Sequence, residues 1–170
     1  MRKLTSHLML AGTLVVAGTS AQDAFAVTAS RTYFNNAAGI CQPALPAFDG
    51  NIRKRPTAVA NEGTATAFVS CSFSSNAEDT LGASSVQLTL FNRTASAVSV
   101  TCTMNPNYYA GGVIPFIPKT ISMPAGRTDF LWNASENGGN NFLFMNFSCA
   151  LPPGVDVGYG FYNYNVNVGA

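Results

Sequence analysis

Carboxylates are the side chains of this sequence that could do chemistry, since two of them are enough to hydrolyse a glycosidic bond. Of the eight Asp and Glu residues, all except Asp23 follow residue 26: Asp49, Glu62, Glu78, Asp79, Asp129, Glu136 and Asp156. No spacing among them singles out a pair, so a two-carboxylate glycosidase is only a remote alternative.

Histidine chemistry is missing from most of the chain. The sole histidine is His7, and it lies in a segment that we expect to be cleaved off. The remaining residues therefore cannot form a Ser-His-Asp triad or the usual zinc sites, and they contain no phosphate-binding loop or nucleophile elbow. The sequence predicts a protein that is not an enzyme and that needs no cofactor or metal.

The amino terminus has the pattern of an export signal. The basic start "MRKLTSH" is followed by the apolar stretch "LMLAGTLVVAG" and by Ala24-Phe25-Ala26, a small-x-small site that a signal peptidase accepts. We expect residues 1–26 to be a signal peptide and residues 27–170 to form a single secreted or periplasmic domain of bacterial type. No second long apolar run follows, so no membrane span is expected after cleavage.

The charge balance argues against one class of partner. Lys and Arg number 9 and Asp and Glu number 8, and the signal segment contains two of the former and one of the latter, so the mature chain is formally neutral. A neutral chain has no field that attracts nucleic acid. We therefore expect no nucleic-acid partner.

Four cysteines in an exported chain predict two disulfide bonds. Alternation in "ATAFVSCSF", "SAVSVTCTMN" and "FLFMNFSCAL" places Cys71, Cys102 and Cys149 on inward-facing sides of strands. The predicted inward sets are Ala67, Val69, Cys71 and Phe73; Val98, Val100, Cys102 and Met104; and Leu143, Met145, Phe147, Cys149 and Leu151. Cys41, in "GICQPALP", precedes two prolines and is expected where a segment enters or leaves the sheet.

Spacing alone allows three ways to pair the cysteines. We expect Cys41 to bond with Cys71 and Cys102 with Cys149. The rival bond between Cys71 and Cys149 would imitate the bridge between the sheets of immunoglobulin domains, but Trp132 is not where that arrangement places its tryptophan.

Short alternating stretches separated by turns occupy the rest of the chain. "SSVQLTLFNR" predicts a strand that turns through "RTASA" as a hairpin, and "FIPKTISMPAGRTDFLWN" predicts two strands around a Pro-Ala-Gly turn. In the tail, Tyr162, Tyr164, Val166 and Val168 alternate with asparagines as the inward face of a closing strand. No stretch has a helical period. The sequence therefore predicts an all-β fold, a two-sheet antiparallel β-sandwich of jelly-roll or immunoglobulin-like type with about eight strands.

The cysteine strands resemble those of a group of small exported bacterial four-cysteine proteins. The shared patterns are V-x-C at Val69 to Cys71, V-x-C-T at Val100 to Thr103, and C-x-L-P at Cys149 to Pro152. The members of this group are uncharacterised β-sandwiches without an assigned activity, so the resemblance implies the fold but no function. The chain departs from the group at Ser72, where a proline often follows the second cysteine.

The tail also carries the candidate ligand-binding residues, because aromatic rings can stack on sugars and amides can bond to hydroxyls. These residues are Tyr159, Phe161, Asn163 and Asn165. We expect an exported protein with a structural or interaction role at the cell surface, whose partner is a glycan or another surface protein; the alternative is a carbohydrate-binding module.

Two other stretches read as plain surface loops. "NASENGGNN" offers oxygen ligands for Ca²⁺ but only one carboxylate, and the basic run Arg53 to Arg55 reads as solvated.

Overall fold

The structure is a computed structural model that describes residues 27–73, 82–106 and 115–169. The expected signal peptide, residues 1–26, lies outside the described residues. The described residues form eleven strands and one four-residue helix. The strands are β1 Thr28–Asn36, β2 Cys41–Pro43, β3 Ile52–Arg55, β4 Ala58–Asn61, β5 Ala67–Phe73, β6 Ala83–Asn92, β7 Val98–Asn105, β8 Ile117–Met123, β9 Gly126–Asn133, β10 Met145–Leu151 and β11 Val155–Asn167; the helix is α1 Ala37–Ile40. Two 3-10 turns lie at Pro46–Phe48 and Ala134–Asn137.

The strands pair into two antiparallel sheets, which confirms the predicted β-sandwich. The six-stranded sheet has the order β3-β4-β11-β6-β9, with β1 also paired to β11, and the five-stranded sheet has the order β2-β5-β10-β7-β8. About eight strands were expected. The additional ones include the three- and four-residue strands β2, β3 and β4, which are too short to show alternation. No helix of the described residues is long and apolar enough to cross a membrane.

Aromatic side chains join the two sheets in the core. Trp132 and Phe130 of the six-stranded sheet are fully buried, and the Trp132 ring lies 5.2 Å from that of Phe147 in the five-stranded sheet. Phe147 in turn packs 4.8 Å from Phe73. A Cβ at Gly160 would lie 1.9 Å from the Phe73 ring, so β11 needs glycine there. The core therefore depends on close contact between β5 and the backbone of β11.

Both predicted disulfides are present, between Cys41 and Cys71 and between Cys102 and Cys149. Each joins residues directly opposite each other on neighbouring strands of the five-stranded sheet. The rival pairing is excluded by register, because Cys149 lies opposite Val69 rather than Cys71.

The predicted inward faces are confirmed for most residues of the cysteine strands, with one error. Leu143 is 44% exposed because strand β10 begins only at Met145. In the tail, Tyr162 is buried and Tyr164 packs against the core, but Val168 is 51% exposed because β11 ends at Asn167. The closing strand is therefore real but shorter than its alternation suggested.

The predicted hairpin after β6 is wrong, because β6 and β7 belong to different sheets. Asn92, 3% exposed, forms the corner between them. Its Nδ2 donates to the carbonyls of Ser96, at 2.8 Å, and Met123, at 3.2 Å, while its Oδ1 accepts from the Thr94 backbone. The buried amide bonds to these backbone groups, and it thereby directs the chain into the other sheet instead of into a hairpin within the same sheet.

A second corner with the same pattern of hydrogen bonds lies between β4 and β5. Asn61 is fully buried, donates to the carbonyls of Ala65 and Leu151, and accepts from the backbone of Gly63. Like Asn92, it comes ten residues before a bridged cysteine. The two corners bring β5 and β7 into the five-stranded sheet on either side of β10, where both cysteine bridges form.

The chain leaves the five-stranded sheet shortly after Cys149. Strand β10 ends at Leu151, two prolines follow, and Gly154 has a φ of 79°. A proline has no N–H for the ladder, and glycine adopts a positive φ without strain. The chain therefore leaves the five-stranded sheet and re-enters the other sheet as β11.

Candidate functional site

A groove of about 310 Å³ crosses the outer face of the five-stranded sheet. Register places its polar side chains in two rows that run across the strands, because side chains on paired residues point to the same face. The first row is Gln42, Ser70, Ser148 and Thr103, from β2, β5, β10 and β7; the second is Ser72, Asn146 and Asn105, from β5, β10 and β7. We call this the five-strand groove.

Apolar side chains lie at the two ends of the five-strand groove. Ile40 lines it on the β2 side and Phe116, which directly precedes β8, lines it on the β8 side. The Phe116 side chain is 65% exposed. A ring that exposed has few neighbours to hold it, so it is available to contact a ligand.

Hydroxyl groups on the groove floor are available for hydrogen bonding. In the part of the chain that the structure describes, no hydrogen bond engages the side chains of Ser70, Ser148 or Thr103. Ser72 Oγ donates to Asn146 Oδ1 over 2.8 Å, which orients the Asn146 amide. Each free hydroxyl can both donate and accept. The groove therefore offers several polar groups whose bonds are not used by the protein itself.

The four ligand-binding residues predicted from the tail lie on the other sheet. Tyr159, Phe161, Asn163 and Asn165 follow one another along the outer face of β11. This face is occupied by its own contacts: the Arg127 guanidinium lies 5.7 Å from the Tyr159 ring centre, and Phe161 packs 5.3 Å from Phe34. The predicted residues do share a face, but their side chains are partly used within the fold.

Asn163 and Asn165 differ in their surroundings, although both occupy outward positions of the same alternating strand. Asn163 is half-buried, accepts from Thr32 Oγ1 at 2.7 Å and donates to Ser85 Oγ at 3.2 Å, while Asn165 is exposed. We expect Asn163→Ala to lower the free energy of unfolding by about 1 kcal/mol, because it breaks hydrogen bonds to two strands. Asn165→Ala is the matched control and should leave the unfolding midpoint unchanged. Urea denaturation of both variants tests this, and equal midpoints would contradict it.

Two of the candidate carboxylates, Asp129 and Glu136, form ion pairs with basic neighbours. Burial opposes ionisation of Asp129, but hydrogen bonds from Arg127 and Thr89 lower its pKa below the usual value. Burial likewise opposes ionisation of Glu136, but a hydrogen bond and ion pair with Lys119 lower its pKa. Both groups are therefore stabilised as carboxylates and are poor candidates for a general acid.

Glu62 and Asp156 come near enough to affect each other. Burial raises the pKa of Asp156; its partner Arg93, 2.9 Å away, opposes that rise, and the charge of Glu62 adds to it. Each carboxylate is nevertheless paired with its own arginine, because Arg55 bonds to Glu62. Asp49 is exposed. Glu78 and Asp79 lie outside the described residues. Among the carboxylates that the structure describes, no pair has the division of roles that glycoside hydrolysis needs.

The candidate Ca²⁺ loop consists of groups that bond to one another. Glu136 accepts from the Asn133 backbone and from Lys119, and Asn137 and Asn140 exchange side-chain to backbone hydrogen bonds. Gly138 and Gly139 have positive φ, which suits a plain surface loop. Among the described residues, no group of three or more His, Cys, Asp or Glu side chains is placed to hold a metal.

The basic run also has an ordinary role, since it forms the edge strand β3. Arg55 pairs with Glu62, and Arg53 and Lys54 are exposed to solvent.

The residues of the five-strand groove were not identified as a site from sequence. Ser70, Ser72 and Thr103 alternate with the inward residues of their strands, but serine and threonine are common on the outer face of a sheet. The missing information was the strand order, which brings β2, β5, β10 and β7 side by side.

No family model matches the chain, and no curated protein matches it. Among solved structures the chain is similar to TmCBM61 in complex with β-1,4-galactotriose, with 12% identity, a TM-score of 0.37, and coverage of 81% of this chain and 88% of that one. It is also similar to a family 11 carbohydrate-binding module from Clostridium thermocellum in complex with a β-1,3-1,4-mixed-linked tetrasaccharide, with 9% identity, a TM-score of 0.38, and coverage of 87% and 89%. The chain is also similar to a CBM4 structure, with 7% identity, a TM-score of 0.35, and coverage of 82% of this chain and 84% of that one. Scores this low carry no inference about a ligand.

Proposed function

We propose that this chain is a non-catalytic glycan-binding protein and that its ligand lies in the five-strand groove. The observation that carries the proposal is the two rows of uncharged hydroxyl and amide side chains, with free hydroxyls on the floor and an exposed ring at one end. A sugar presents hydroxyls around its edge and C–H groups on its faces. The floor matches the hydroxyls, and Phe116 matches a C–H face.

The proposal agrees with the expected export of the chain and with its interaction role at the cell surface. The two disulfides also suit an oxidising compartment. Binding, rather than catalysis, is favoured because the groove floor contains hydroxyls and amides but no acid or base.

A glycan array probed with the purified, disulfide-bonded protein tests the function, and Phe116→Ala tests the site. Removing this ring should weaken the affinity for the best array ligand about tenfold, which corresponds to about 1.4 kcal/mol and to part of the burial energy of a phenylalanine. Isothermal titration calorimetry measures the change.

Phe34→Ala is the matched control, because Phe34 is 66% exposed and lies on the outer face of the six-stranded sheet. It should bind as tightly as the wild type. Loss of binding in Phe34→Ala but not in Phe116→Ala would move the site to the face that carries Tyr159 and Phe161. Binding to no glycan on the array would refute the proposed function.

A role in contacting another surface protein is the second candidate, and one observation favours it. Phe34, Phe161, Gln87 and Leu131 form a continuous row across β1, β11, β6 and β9, and Phe34 and Leu131 expose more than 40% of their surface. Exposed apolar side chains grouped in this way are common at protein interfaces.

A further inference from the structure

We infer that the five-strand groove selects neutral glycans over acidic ones, and that it does so because none of the described side chains that line it is ionisable. The inference rests on the proposed function and adds the chemical class of the ligand. The outward positions of the five-stranded sheet are Gln42, Phe68, Ser70, Ser72, Ser99, Thr101, Thr103, Asn105, Pro118, Thr120, Ser122, Asn146, Ser148 and Ala150. None of them carries a charge.

The one charged residue within the strands of this sheet points the other way. Lys119 of β8 lies opposite Cys102, on the inward side. Its Nζ donates to the Leu131 carbonyl, pairs with Glu136 at 2.9 Å and lies 5.5 Å from the centre of the Trp132 ring. These contacts fix the ammonium group between the edges of the two sheets, so it cannot serve as a counterion in the groove.

Transferring a carboxylate from water to an uncharged groove is costly. The ligand loses part of its hydration, and serine and threonine hydroxyls replace it only with single neutral hydrogen bonds, which are weaker than bonds to a cation. A neutral sugar loses less, because each of its hydroxyls exchanges water for groups that also donate and accept. The groove therefore discriminates against acidic glycans, because the transfer of their carboxylates from water into the groove is unfavourable.

The direction of the rows suggests how such a ligand lies. The rows cross β2, β5, β10 and β7 and end near β8, which is about 19 Å over four strand spacings. Ile40 and Phe116 mark the two ends. An unbranched chain running across the strands can use both rows along this length, whereas a single sugar can use only a few of their groups.

The test uses three pairs of unbranched hexasaccharides that match in linkage and differ only in a carboxylate: gluco- and glucurono-, manno- and mannurono-, and galacto- and galacturono-oligosaccharides. For the pair that contains the tightest binder, the neutral member should bind the wild type at least tenfold more tightly. Thr103→Lys, which places a cation in the first row, should reduce that ratio at least fivefold.

Ser99→Lys is the matched control, because it adds the same charge to the same strand and face but lies outside the groove. It is four residues from Thr103, about 13 Å along the strand, which exceeds the screening length of about 8 Å in physiological salt. The ratio should therefore stay at the wild-type value in Ser99→Lys.

Two results would overturn the inference while leaving the proposed function intact: an acidic hexasaccharide that binds the wild type as tightly as its neutral partner, or equal shifts of the ratio in both lysine variants. Failure of all six hexasaccharides to bind, although the array yields a ligand, would overturn the inference alone; the proposed function is refuted by binding to no glycan on the array.

Discussion

A chain that ends after Gly158 should not fold. Strand β11 lies at the centre of the six-stranded sheet, with β1 and β4 along one side and β6 along the other. Truncation removes every strand partner of β1 and most of the β11 residues that pair with β6, together with the buried Tyr162. Burial of one such side chain is worth about 1.5 to 3 kcal/mol, and the free energy of unfolding of a whole domain is about 5 to 15 kcal/mol.

The loss goes beyond the contacts of single side chains. Without residues 159–167, most of one edge of β6 would lose its strand partner, and the ring of Phe73, which packs on Gly160, would become accessible to water. We expect the truncated protein to be degraded on expression or to lack the near-ultraviolet circular dichroism of packed aromatic rings.

A chain ending after Asn165 is the control for this truncation. The residues it loses lie at the end of β11, where only the start of β1 pairs with them, and both Asn167 and Val168 are exposed. Its melting temperature should stay within a few degrees of that of the full chain. If the chain ending at Gly158 melted like the full chain, residues 159–170 would be dispensable for folding and this prediction would be wrong.

Much of the fold could be predicted because alternation is a property of one strand at a time. Val69, Cys71 and Phe73 share a face whatever strand lies beside them, and so do Leu88 and Leu90, and all five are buried. The pairing of strands, in contrast, depends on contacts between residues that are far apart in the sequence. The hairpin predicted after β6 was wrong because the hydrogen bonds of Asn92 depend on carbonyls from β8 and its following turn, far along the chain.

The candidate site could be predicted much less well than the fold, for a related reason. The aromatic and asparagine residues of the tail predict a binding site at Tyr159 and Phe161. The five-strand groove, in contrast, is formed by four strands that each contribute one or two polar residues. Ser70 and Ser148 are 78 residues apart in sequence and directly opposite in the sheet. Only strand order and register, which are tertiary properties, bring them together.

Removing the Cys102–Cys149 bridge should destabilise the protein by about 4 to 5 kcal/mol. The bridge closes a segment of 47 residues, and the chain-entropy relation gives about 4 kcal/mol for a loop of that length. Both cysteines are fully buried, so replacing them with alanine also leaves a void that the packed core closes only in part. Urea denaturation of the Cys102→Ala, Cys149→Ala double variant measures the loss.

The Cys41→Ala, Cys71→Ala double variant provides the comparison and should lose less. Its segment of 30 residues corresponds to about 3.6 kcal/mol by the same relation. In addition, β2 is a three-residue strand at the edge of its sheet, whereas β7 and β10 are interior strands. Without its bridge, β2 can separate locally while the rest of the sandwich stays folded, and local opening of this kind costs less than global unfolding.

The two double variants therefore differ in the kind of change as well as in its size. Loss of the Cys102–Cys149 bridge should lower the midpoint of a single cooperative transition, because β7 and β10 carry core residues such as Met104 and Phe147 on the same face as the cysteines. Loss of the Cys41–Cys71 bridge should increase amide hydrogen exchange first in β2 and α1. A larger midpoint shift in the Cys41 variant would mean that the edge strand, and not the centre of the five-stranded sheet, limits the stability of the fold.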